Sequence, residues 1–161
     1  MELNTQVAVL EGYKGRLGNL ILQDAKFFGR PNFSGELDNF NDDRRKFTVL
    51  IPNEHADELR SLGWNVKTTL PQTEEQDSVS HLKVMVDRGS SVLLIAQGLD
   101  GVDKQEVLNE GTFGIVDRSR VLEMDMEIRA WEYDEGQYSA RLVSAAVRIQ
   151  PNFMQQKYGH F

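Results

Sequence analysis

From Leu122 to Trp131 the chain alternates without a break. Leu122, Met124, Met126, Ile128 and Ala130 fall on one side, and Glu123, Asp125, Glu127, Arg129 and Trp131 on the other. Successive side chains of a β-strand point to opposite faces, so the pattern predicts a strand with one buried and one wet face. Tyr133-Asp-Glu-Gly-Gln-Tyr138 supplies a hairpin turn, and a strand returns from Tyr138 to Ile149. Its apolar phase changes near Leu142 and Val143, which predicts a bulge.

The rest of the chain adds shorter elements, punctuated by Pro31, Pro52, Pro71 and Pro151. Leu17 to Phe28 reads as strand and then turn, and Lys46 to Ile51 as a well-buried strand. A helix runs from a cap at Asn53 through Ala56, Leu59 and Leu62 to a stop at Gly63. Trp64 to Leu70 is β-prone, with Trp64 as a core plug, and the acidic run at 71–80 is an exposed loop. Strand patterns resume at His81–Asp87, where Leu82, Val84 and Val86 share a face, and at Val92–Ala96. A second helix is predicted from Asp103, with Glu106 completing a box-like pair, to about Gly111. Five to seven strands with two short helices make a mostly-β domain, a small barrel or sandwich. At 161 residues, 40% apolar, the chain is one domain with a real core.

The absence of cysteine excludes disulfide scaffolds, thiolate metal sites and cysteine nucleophiles. His55, His81 and His160 show no ligand spacing, so no metal is expected. No apolar run approaches the roughly 20 residues that span a bilayer, and a soluble intracellular protein is expected. The net charge of −7 argues against a polyanionic partner only on average. Residues 1–50 carry seven basic and seven acidic side chains, while residues 51–161 carry eleven and eighteen.

That neutral first third holds the densest mixture of cations and rings, KFFGRPNFSGELDNFNDDRRKF at 26–47. Cations follow phosphates and flat rings stack on bases whatever their sequence, so the mixture suits single-stranded nucleic acid. Lys26, Arg30, Arg44, Arg45 and Lys46 are candidate phosphate contacts, with Lys67, Lys83, Arg129 and Arg141 as outlying ones. Phe33 and Phe40 sit in polar loop sequence and are candidate stacking platforms. Trp131 and Tyr133, on the polar side of the hairpin, are two more. Phe47 belongs to an apolar alternation and reads as core, as do Phe27 and Phe28. Glu36, Asp38, Asp42 and Asp43 could alternatively hold magnesium in a nuclease. No nucleophile elbow, P-loop or dinucleotide fingerprint occurs, so neither catalysis nor a cofactor is expected.

Several strings together carry a resemblance: Phe33-Ser-Gly35, Phe40-Asn41, Arg45 and Phe47, Ala56 and Leu59 before Gly63-Trp-Asn-Val-Lys67, Trp131-Glu132, and Phe153 ahead of Lys157-Tyr158. In these the chain resembles the single-stranded-DNA-binding proteins of tailed bacteriophages. The resemblance spans roughly residues 20–158. It implies an OB-fold-like five-stranded barrel with extra strands and two short helices, with residues 1–19 as an N-terminal extension and 151–161 as a tail. It also implies a non-catalytic protein that coats single-stranded DNA during phage replication, recombination or repair, in the cytoplasm of an infected bacterium. Phage replication or recombination proteins are possible partners. The end QQKYGHF has the Phe but not the acids of a recruiting tail. An OB-like protein-interaction module and a metal-dependent nuclease are the alternatives.

Overall fold

The computed structural model describes residues 3–36, 44–71, 73 and 77–159. Their main feature is a strongly curled mixed sheet. The strands are β1 (Gln6–Val9), β2 (Leu20–Ala25), β3 (Lys46–Ile51), β4 (Lys67–Thr69), β5 (Val79–Gln97), β6 (Asp103–Leu108), β7 (Arg120–Asp134) and β8 (Gln137–Gln150). Three short helices join them: α1 (Asn53–Leu62), α2 (Gly114–Arg118) and α3 (Phe153–Tyr158). The main path is β1-β2-β7-β8-β5-β3, with β4 and β6 both attached to β5. Among the described residues only the β5–β8 ladder is parallel. Six strands thus curl into a half-barrel.

The alternation that opens the sequence is β7. Met124, Met126 and Ile128 are buried, and the strand runs antiparallel to β8 along most of its length. The bulge in β8 is at Val143: Glu127 opposes Ser144 and Ile128 opposes Leu142, which leaves Val143 unpaired. His81–Asp87 and Val92–Ala96 are one strand rather than two. Its parallel register to β8 slips between Val86 and Ser91, and the Ser90 hydroxyl fills the irregularity, donating to Leu142 O at 2.7 Å and accepting from Asp87 N–H at 3.0 Å.

Two expectations are overturned. The predicted helix at Asp103 is strand β6, paired with β5 from Val92↔Leu108 to Gln97↔Asp103. The Asp103–Glu106 spacing is a local helix signal, but a turn at Gly98–Gly101 sends the chain back along an apolar strand whose backbone groups need partners. The Asp103 carboxylate instead grips Arg148 through two hydrogen bonds of 2.8 and 2.9 Å, which lowers its pKa. Asn53 does not cap α1 either; Pro52 holds that position. The Asn53 amide donates to Ser78 O at 2.7 Å and accepts from the Ser80 hydroxyl at 2.6 Å, tying the helix start to β5. Gly63 closes the helix in the left-handed conformation, as expected.

Phe33 is also corrected. Its ring is fully buried, stacked on Phe47 at 5.1 Å and edge-on to Phe27 at 6.0 Å. The reason lies 84 residues away, where the largely buried Asp117 of α2 accepts the N–H groups of Phe33 and Ser34 at 2.7 and 2.9 Å. That grip turns the polar loop inward and offers the Phe33 ring no wet face. Removing the carboxylate strands two donors. Asp117→Ala is therefore expected to lower unfolding stability by about 1–3 kcal/mol, read as a fall in the urea midpoint; an unchanged midpoint would contradict this role.

Candidate nucleic-acid interface

Register alone assembles one face of the sheet. Arg129 of β7 opposes Arg141 of β8, Arg141 opposes Met85 of β5, and Met85 opposes Lys46 of β3. Directly paired residues project from the same face, so three cations flank one methionine across four strands. Lys83 opposes Thr48, and His81 lies between Leu50 and Lys67. The face carries a groove of about 640 Å³, lined by Arg44, Lys67, His81, Lys83, Met85, Trp131, Tyr133, Tyr138 and Arg141, among others.

Trp131 and Tyr138 of this groove are held in place. Trp131 is 47% exposed, and the guanidinium groups of Arg129 and Arg141 each lie 5.1 Å from its ring centroid. Both arginines are fixed by Asp87, at 3.3 and 2.9 Å respectively. Tyr133 is 61% exposed. Tyr138 is braced by α1: a Cβ at Gly63 would sit 2.8 Å from its ring. With φ of 115°, Gly63 needs to be glycine for its backbone and for this contact. Phe28, read from sequence as core, is partly exposed and stacks face to face on His81 at 4.6 Å.

Of the sequence candidates, Arg44, Lys67, Lys83, Trp131, Tyr133 and Arg141 line this groove, and Arg129 and Lys46 belong to its face by register. The others are elsewhere. Lys26 donates to Leu122 O at 2.8 Å and lines a separate cavity. Arg45 pairs with Glu110 at 3.2 Å and lies over Phe113. Arg30 is exposed in the segment between β2 and β3, and Phe33 is in the core. Phe40 lies outside the described residues, as do Asp38, Asp42 and Asp43. Among the described residues no group of three or more His, Asp or Glu is arranged to hold a metal ion. His81, Met85 and Tyr138 went unnoticed as site residues, although His81 and Met85 sit out of phase with Leu82, Val84 and Val86 and so had to face outward.

A cationic groove set with rings is the surface that a single strand requires. A family model described as "Putative phage ssDNA-binding domain" matches residues 10–160. The chain belongs to that family. No curated protein and no solved structure matches it significantly. In this phage family member the matched span takes in every described strand that builds the groove. No helix among the described residues is long and apolar enough to cross a membrane.

The groove's one titrating imidazole responds to its surroundings. Burial first, and the Lys67 ammonium second, hold the His81 pKa below the ordinary histidine value. The unfolded chain then binds more protons than the folded one as pH falls through about 6.5. His81 therefore favours folding above that pH, and the contribution is lost as pH drops from there toward the folded pKa. An NMR titration is expected to place the His81 midpoint below its unfolded value. Lys67→Gln should move that midpoint upward, and an unmoved midpoint would remove Lys67 as a cause.

Proposed function

We propose that this protein binds and coats single-stranded DNA with little sequence preference, without catalysis, during phage DNA replication or recombination. The observation that carries this reading is the convergence of Arg44, Lys67, Lys83, Arg141, Trp131 and Tyr133 on one groove. The cations lining the groove would take phosphates, while Trp131 and Tyr133 offer faces for bases. Stacking on such faces is tolerant of base identity, which fits binding with little sequence preference.

We read the curled sheet as an OB-like barrel. Support comes from the segment just past β2: Phe28 N–H donates to Thr48 O and Leu50 N–H to Lys26 O, and Phe27 bridges Val49. These contacts tie the segment that follows β2 to β3, the last strand of the path.

A second reading, an interaction module of a replication complex, draws on the β5–β6 ribbon, where Leu99, Val102 and Val107 are 59–71% exposed. The two readings separate on salt, because only the DNA reading requires affinity for oligo-dT to fall as salt rises, by about 0.7 in the log–log slope per phosphate neutralised.

Trp64 is buried, so tryptophan quenching on titration with oligo-dT reports Trp131. Quenching is expected, and Trp131→Ala should weaken binding by about 1–3 kcal/mol. Unchanged fluorescence together with no electrophoretic shift at low salt would refute the proposal. Asp87 competes with phosphate for Arg129 and Arg141. Asp87→Asn is therefore expected to tighten binding at low salt and to steepen the salt slope, both measurable by anisotropy; weaker binding would mean that holding the arginines against Trp131 matters more than their freedom.

A further inference from the structure

Between β1 and β2 the chain folds back through a tight two-residue turn. Leu10 N–H donates to Asn19 O at 2.8 Å, and Arg16 N–H to Tyr13 O at 3.0 Å. The central residues, Lys14 and Gly15, have φ of 52° and 75°, the pattern of a type I′ turn. Glycine is at home there, but lysine is not, since such turns usually place Asn, Asp or Gly at the first position. Two more glycines let the legs close: a Cβ at Gly12 would lie 2.2 Å from Arg16 O, and one at Gly18 would lie 1.8 Å from Leu10 O. The turn is thus strongly specified, and it holds out Tyr13, 73% exposed, with the Lys14 ammonium 5.3 Å from its ring.

This turn adjoins the groove. A second cavity, of about 300 Å³, is lined by Arg16 and Leu17 together with Arg129, Trp131 and Tyr138. Trp131 and Tyr138 also line the main groove, so the two cavities share a wall of rings. Glu132 is the acidic group there, and its carboxylate accepts the Gly136 N–H of the β7–β8 turn at 3.3 Å. Past Trp131 the main groove thus gives onto the cavity that Arg16 lines, and Arg16 pairs with Tyr13 across the turn that carries Lys14.

We infer that the Tyr13–Arg16 turn is a second contact for the same single strand, with Arg16 and Lys14 taking phosphates and Tyr13 stacking a base. The inference rests on the groove being a single-stranded-DNA site. It explains why a lysine occupies a strained backbone position where Asn, Asp or Gly would be more comfortable. It also gives the segment ahead of β2 a share in the length of DNA covered.

The test is anisotropy on the full chain with fluorescent oligo-dT of two lengths, about 6 and about 16 nucleotides, a short and a long member of the range of about 4–16 nucleotides that one OB fold accommodates. The double variant Lys14→Gln, Arg16→Gln is expected to leave affinity for the short oligonucleotide unchanged. For the long one it should weaken binding and lower the salt slope by about 0.7 per cation removed. Lys14→Gly, which relaxes the turn while deleting the charge, should shift long-oligonucleotide binding in the same direction. Unchanged binding at both lengths, or equal losses at both, would overturn the inference while leaving the groove intact. Wild-type protein that binds neither length would overturn the parent reading, and this one with it.

Discussion

Strand β5 is shared by four partners, and the rest of the molecule depends on that sharing. One of its edges pairs first with β3 and then with β6, and the other pairs first with β4 and then with β8. A flat strand of 19 residues could not serve all four around a curled sheet, so it kinks at Asp87–Ser90, where the Ser90 hydroxyl replaces the missing ladder contacts. Asp87 opens that irregular stretch in phase with His81, Lys83 and Met85, and on their face one carboxylate holds two arginines against a tryptophan.

The phenylalanines divide the same way, into core and surface, and the division was only partly legible. Phe47 announced itself through the alternation of β3. Phe33 did not, because its neighbours are polar and its burial depends on Asp117, far along the chain. The Phe-Ser-Gly string that helped carry the family resemblance is in this respect a structural motif: it threads a ring into the core and is pinned by its own backbone. Phe28 went the other way, from an apolar run to the surface, because it follows the end of β2 and has His81 to lie on.

What the sequence revealed best was local and periodic. The β7–β8 hairpin, the bulge at Val143, strand β3 and the glycine stop of α1 all follow from spacing within ten or so residues. The helix placed at Asp103 failed because a four-residue capping pattern competed with a hairpin partner that local spacing cannot see. For the groove, residue types were readable and their sides were not. In Arg44-Arg45-Lys46 the first and third face the groove while Arg45 turns to Glu110 and Phe113, as a period of two demands. Which parity faces inward was decided by β5, so the cations of one dense window divided between two faces.

The parallel pairing of β5 with β8 sets an order of events for the chain as it folds. Val84 meets Ala140, and everything between them, β6, α2 and β7, must be in place or out of the way before that ladder closes. Contacts this distant in sequence form late and slowly. The row from Arg129 to Lys46 crosses the same ladder, so a partly folded chain has its charges but no groove to put them in. A ligand that requires the whole row binds only the finished fold and, by mass action, holds it finished.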